Sequence, residues 1–472
     1  MNADLDAAAQ ADAHARRGRP RLGFFAICLA YCAIILDGSV LNVAVPTIRH
    51  DLGSPMAGAQ WVLDGYTLPL AALLLTAGAL GDRIGMRRML LGGIAVFTVA
   101  SAACAAAPDI GALIAARAVQ GVGAAALLPA TLAMIPHLFA SRAEQARAAV
   151  TWVAAGTISV AAGPLVGGLL IEAFGWRSIF LINLPVGAVS IGLARATIPE
   201  TLRQPARVDR AGQVTAAASL GLLTTALILG GSAGWAAPAT LGTLAAGIAA
   251  GLAFWLAERY GRHPMLPLSF FADRVRAVAV ISAGVMGFVF YGTLFVMSLY
   301  FQQLRGGSPG AAGLALLPLT GGSALSPLVL YRPLSRRFGH RALLPAGFTG
   351  CALGTATLAW GGPRAPYAVA LAGLLLTGIG STLAFSALTS LLMSSVPAGQ
   401  SGLGSGLQNT ARQSGALLAV SVMGSVLNTA LLAGRLPTAL AILGAADLIG
   451  IAAGVTAVRA GRPAGAVPRA LP

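Results

Sequence analysis

The sequence predicts an all-α integral membrane protein with fourteen spans and an internal duplication, on three observations. Of its 472 residues, 57% are hydrophobic and only 10% are charged, with mean hydropathy +0.79; soluble chains carry about 25% charged residues. The apolar runs have spanning length, about 20 residues each, and short links carrying Gly, Pro and Arg separate them. Finally, the glycine-hinged, arginine-rich stretch from Gly78 to Arg88 returns from Arg332 to Arg341. Leu80, Arg83, Gly85 and Arg87 fall on Leu334, Arg337, Gly339 and Arg341, and only Asp82, opposite Arg336, breaks the match. Two such loops mark the halves of a duplicated membrane protein. The alternating ten-residue segments of a β-barrel are absent.

The first six spans are expected at 22–46, 60–80, 89–107, 110–135, 148–172 and 178–198. Two more follow at 211–231 and 238–256, and six at 277–300, 311–331, 342–360, 366–392, 404–432 and 436–458. The link from Pro199 to Arg210 is the longest polar connection before the repeat, and the duplicated loops stand eight spans apart, so two spans are inserted between six-span halves. The expected domains are an N-terminal tail 1–21, a six-helix bundle 22–198, a linker with two extra helices 199–257, a second six-helix bundle 258–458 and a C-terminal tail 459–472.

The net charge of +16 comes from arginine alone, since none of the 31 basic residues is lysine. On this span count 24 arginines share the side of the Gly78 to Arg88 loop, five (Arg49, Arg177, Arg305, Arg364 and Arg435) take the other, and Arg117 and Arg412 fall within spans. That asymmetry is the positive-inside rule. It puts both termini in the cytoplasm of a multi-pass cell-membrane protein and accounts for the charge without a nucleic-acid partner. Without lysine, a Gly-Lys-Ser/Thr phosphate loop and a lysine Schiff base are impossible, so ATP-driven pumping by this chain is excluded and no cofactor is expected. Cys28, Cys32, Cys104 and Cys351 lie inside spans as small apolar residues, and no metal site is expected. The five histidines are dispersed and no loop is long enough to fold, which leaves a membrane-embedded enzyme or sensor as a remote alternative.

The first span carries Asp37, with Asn42 about one and a half turns on. An acid inside a span costs about 2.5–3.5 kcal/mol on insertion scales and is expected to face a cavity or a partner. A proton-carrying role competes with an acid that reaches headgroup water. Asp64, one turn inside Trp61, is either a substrate-facing group or a solvated mouth residue. The loop that follows, with Gly78, Gly81, Asp82, Arg83, Gly85 and Arg87, reads as a conformational latch. Asp82 is expected to pair with Arg83 or sit at a helix N-terminus, with Arg87 and Arg88 at the headgroups. In the fourth span Arg117 needs an acid or several carbonyls. Asp37 is the candidate partner, and a pair that makes and breaks would couple proton binding to movement; a static structural arginine is the competing reading. Gln120, one turn on, is assigned to the cavity with Asn42 and Asp64. Gly163, Pro164, Gly167 and Gly168 make the fifth span a bendable helix against a near neighbour. The aromatics of the ninth span, Phe288, Phe290, Tyr291, Phe295, Tyr300 and Phe301, read as packing more readily than as a drug site. Gln408, Asn409, Arg412 and Gln413 recur at helical spacing in the thirteenth span; Gln408, Asn409 and Arg412 are assigned to a cavity wall, with solvation at the cytoplasmic end as the competing reading of Arg412. Asp447 stands near the middle of the last span, either idle or paired with an unseen partner.

Together these stretches resemble the major facilitator superfamily and, within it, the fourteen-span drug:proton antiporters. Gly78 to Arg88 resembles the superfamily signature between spans two and three, and Leu36 to Pro46 the first-span motif of the drug antiporters. Arg117 to Gly123 is similar to the fourth-span motif implicated in proton transfer, and Gly163 to Gly168 to the fifth-span antiporter motif. The resemblance implies the major facilitator fold and export of a lipophilic small molecule by alternating access, driven by inward proton movement. Asp37 and Arg117 would take the proton-coupling positions, in a protein that works as a monomer in the lipid bilayer. The tenth span lacks the acid of members handling divalent cations, and the thirteenth has Arg412, so neutral, monocationic or anionic lipophiles are preferred. A dedicated exporter of one endogenous metabolite is the alternative carrier.

Overall fold

The structure is a computed structural model that describes residues 20–201, 209–261, 264–266, 268–396, 401–427 and 432–460. Nearly all of the N-terminal tail, most of the C-terminal tail and much of the polar link at 199–210 lie outside the described residues, as do Arg16, Arg17, Arg19, Arg203, Arg207, Arg262, Arg462 and Arg469.

All regular structure among the described residues is helical. Numbered α1 to α14 in chain order, twelve helices are long and apolar enough to cross a membrane. They are α1 (Pro20–Asp51), α2 (Met56–Ile84), α3 (Met86–Ala106), α4 (Ile110–Ala133), α5 (Arg142–Phe174), α6 (Ser178–Thr197), α7 (Arg210–Ser232), α8 (Pro238–Tyr260), α9 (Arg274–Leu304), α11 (Tyr331–Gly361), α12 (Tyr367–Ser395) and α14 (Leu432–Arg459). The two other expected spans fall short for separate reasons. In α10, Pro318 removes a backbone donor and crowds the preceding turn, so the helix breaks into Pro309–Ala315 and Leu317–Leu325 and ends in a π-turn, Ser326–Leu330. In α13 (Ser401–Val426) the amides and Arg412 dilute the apolar content. Both α1 and α5 run straight through an internal proline, Pro46 and Pro164, and outlast their expected ends.

In the first half of the chain α2 packs on α4, α3 on α4 and α1 on α5 and α6; in the second, α11 packs on α12 and α14 and α9 on α13 and α14. Helix α7 lies against both α2 and α13, where Gln213 Nε2 donates to the Ala72 carbonyl at 2.9 Å. Helix α8 packs on α7 and is otherwise largely exposed.

At the end remote from the Gly78 to Arg88 loop the two halves touch, with side chains of one half donating to backbone carbonyls of the other. Ser298 Oγ donates to the Asn42 carbonyl at 2.7 Å and Gln302 Nε2 to that of Val43 at 3.0 Å. Gln60 Nε2 donates to the Ser421 carbonyl at 2.9 Å and Thr320 Oγ1 to that of Ala161 at 3.0 Å. A Cβ on Gly168 would run into the Pro309 carbonyl, and one on Gly313 into that of Pro164, so only glycine allows α5 and α10 to approach this closely. Toward the loop face the halves diverge around a cavity of about 840 Å³, which runs from Gly78, Asp82 and Met86 inward to Ile35, Tyr291 and Arg412.

The duplicated loops share their backbone. Gly85 has φ 99° and its repeat-mate Gly339 has φ 77°, a region that disfavours any side chain. Two expectations for the first loop are corrected. Arg87, expected at the headgroups, is instead tied to protein groups, Glu200 Oε1 at 2.5 Å and the Arg195 carbonyl at 3.0 Å, since the end of α6 lies beside it. Asp82 has no ion-pair partner among the described residues, Arg83 included; it ends α2 on the cavity wall.

Candidate functional site

The charges inside α1 and α4 meet. Arg117 Nη1 donates to Asp37 Oδ2 at 2.5 Å, and the two residues are 1% and 5% exposed. Small residues create the space: a Cβ on Gly121 would run into the Tyr66 carbonyl, so α4 lies close enough to α2 for Arg117 Nε to reach the Val62 carbonyl at 3.2 Å. The Arg117 guanidinium also lies 4.2 Å from the centre of the Tyr66 ring, a favourable cation–π distance.

Neutral side chains complete the pair. Gln120 accepts from Arg117 at 2.6 Å and donates to Asp37 Oδ1 at 3.0 Å and to Ser101 Oγ at 2.8 Å. Asn183 on α6 donates to Asp37 Oδ1 at 3.2 Å and to Ser101 at 3.3 Å. A buried ion pair offsets its desolvation only when the remaining lone pairs and protons are also met; Gln120 and Asn183 bond the pair directly, and Ser101 holds both of them in place. Gln120→Leu is expected to lower stability by about 1–3 kcal/mol, because it strips partners from two buried charged groups; thermal unfolding in nanodiscs checks it, and an unchanged transition would place the bonds elsewhere.

Among the expected cavity residues, Gln408, Asn409 and Arg412 lie on the wall, whereas Asn42, Asp64 and Gln120 do not. Gln120 belongs to the Asp37 network, on another face of α4. Asn42 is buried in the seam between α1 and α9, its amide nitrogen returned to the Gly38 carbonyl of its own helix at 3.2 Å. Asp64 is neither solvated nor substrate-facing: it is 0% exposed between α2 and α13, accepting from Ser421 Oγ at 2.7 Å. Trp61 is read as a marker of depth for Asp64, and depth carries no information about the helix face.

The remaining wall is aromatic. Tyr31 stacks on Trp152 with ring centres 3.8 Å apart, and Phe290, Tyr291 and Phe385 line it from the other half. Phe295, Tyr300 and Phe301 of the same α9 are buried packing, so the helix divides between the two readings. Tyr31 and Trp152 are missed by sequence reasoning, since nothing in an all-apolar helix separates a wall aromatic from a packed one. Asp447, 0% exposed on α14, accepts from Thr355 Oγ1 at 3.0 Å, and Thr355 is the repeat-mate of Ser101. The α3–α6 contact of the first half is thus echoed by α11–α14 in the second.

Two packed groups of apolar helices, sealed against each other at one end and parted around a cavity at the other, define a membrane carrier. The chain belongs to the Major Facilitator Superfamily, which it matches over residues 27–420. It is 36% identical over 409 residues to the multidrug resistance protein Stp of Mycobacterium tuberculosis, covering 86% of this chain and 75% of that protein. Identity to the methylenomycin A resistance protein of Streptomyces coelicolor is 34% over 408 residues, 86% of this chain and 85% of the relative. Among solved structures, an auto-inhibited POT family peptide transporter superposes with a TM-score of 0.68 at 18% identity, over 96% of this chain and 99% of that one, a likeness of fold alone.

Proposed function

We propose that this protein exports lipophilic drugs or antibiotics across the cytoplasmic membrane in exchange for protons, by alternating access and without ATP or another cofactor. The reading includes fourteen spans, with α10 and α13 crossing as well, and two six-helix bundles, 22–198 and 258–458, with α7 and α8 inserted. It also includes cytoplasmic termini on the arginine-rich face and a working monomer. The observation that carries it is a cavity reaching that face while the opposite end is sealed. Such a cavity collects a lipophile from the inside and releases it outside once the seam parts.

Asp37 stands along α1 between Ile35 on the cavity wall and Asn42 in the seam. A proton on Asp37 removes the charge that holds Arg117, leaving the guanidinium with the Val62 carbonyl and Gln120. Helices α1 and α4 are then free to shift, and the seam contacts of Asn42 and Val43 shift with α1. The names of the drug-resistance relatives support the substrate class.

The test uses acid-loaded everted vesicles carrying the protein. Addition of a lipophilic compound from a panel of cations, neutral antibiotics and anions is expected to release protons with native protein, and Asp37→Asn is expected to abolish that release. A folded, inserted protein that leaves the gradient intact with every compound would overturn the exchange reading.

A further inference from the structure

We infer that the cavity is built for lipophilic anions, an aromatic body carrying one carboxylate or phenolate, with Arg412 as the anion-binding group. This rests on the reading of the cavity as the substrate site and narrows its substrate class.

Arg412 is the one cation on the cavity wall among the described residues. Counted from the mouth it is the last residue of α13 to line the cavity, so its charge sits at the closed end. No carboxylate lies within 4.0 Å of it among the described residues. Its protein contacts are neutral and long, Nη1 to the Tyr291 hydroxyl at 3.3 Å and Nη2 to Asn409 Oδ1 at 3.5 Å. Its Nε is buried with no acceptor. The residue is half-buried, and a guanidinium at the closed end of a cavity with only long, neutral contacts still has charge to offer an anion. Arg117 shows the alternative in the same protein, since its charge is met by Asp37. The acids on the wall, Asp82 and Asp209, belong to the end of α2 and the N-cap of α7, both at the mouth, and leave the closed end positive.

A second orphan donor sits on the other half. Trp152 lines the cavity, and its Nε1 is buried without a partner. With the stacked Tyr31–Trp152 pair on one side and Phe385 and Phe290 on the other, the wall offers flat apolar surfaces for a ring beside the Arg412 guanidinium. Planar bidentate recognition of carboxylate is what a guanidinium does best.

The test is equilibrium binding to purified protein in nanodiscs of three probes on one scaffold: 2-naphthoate, its methyl ester and 2-naphthylmethylammonium. The naphthoate is expected to bind about tenfold or more tightly than either of the others, the scale of a charge-assisted bond. Arg412→Gln is expected to erase that preference and Arg412→Lys, which keeps the charge but loses the planar fork, to keep only part of it. Equal or tighter binding of the ammonium, a preference that survives Arg412→Gln, or no binding of any probe to folded protein overturns the inference. Proton-driven transport of the same probes in vesicles separates the two readings. Binding in the expected order without transport leaves this inference standing and sinks the pump, whereas transport in the reverse charge order does the opposite.

Discussion

Arg117→Met is expected to abolish substrate-driven proton release and to destabilise the protein by about 3–5 kcal/mol, the cost of leaving one member of a buried ion pair uncompensated. Asp37 has no other cation among the described residues, and its remaining partners, Gln120 and Asn183, are neutral. The second half of the prediction separates stability from coupling. Combining Arg117→Met with Asp37→Asn removes both charges, so the double variant is expected to recover most of the lost stability while proton release stays absent. Residues in direct contact are where additivity fails, so the cycle measures the pair itself. Thermal unfolding in nanodiscs gives one axis and vesicle proton release the other. Retained release in the single variant, or a double variant no more stable than the single, would show that the pair does not hold the mechanism.

That pair was legible in the sequence because a charge inside an apolar helix is so costly that it demands a partner, and the first half offered few candidates. Its neutral supports were not. Ser101 and Asn183 are single polar residues in apolar helices, and such residues also return their hydrogen bonds to their own helix, as Asn42 does. The same ambiguity misplaced Asp64. A helix that is apolar all round gives no period from which to read the inward face, so composition carried no direction. The duplication was visible at residue level, and Gly85 and Gly339 share a positive φ because both loops need the same reversal. The break in α10 follows from Pro318, a signal present in the sequence but outweighed there by the length of the apolar run.

The glycine contacts between α5 and α10 carry the second large effect. Gly313 packs against the Pro164 carbonyl and Gly168 against that of Pro309, backbone on backbone with no flexible side chain to yield. Gly313→Leu is therefore expected to keep the far end from sealing while leaving each half able to fold, since the added side chain strikes the partner half. If sealing is one of the two states that transport must visit, a protein held out of it stops exporting, and proton release falls to the vesicle background. The open state has its own signature. Val43 is 0% exposed beneath the Gln302 bond, so a Val43→Cys reporter in otherwise native protein is expected to resist a membrane-impermeant maleimide added to whole cells. In the Gly313→Leu background the same reporter is expected to label about tenfold faster or more, as a buried gate becomes a populated opening. Near-native export by Gly313→Leu, or a Val43→Cys reporter equally protected in both backgrounds, would mean that the α5–α10 contact is only packing. The alternation would then have to be carried by the polar seam of Asn42, Val43, Gln60 and Ser421.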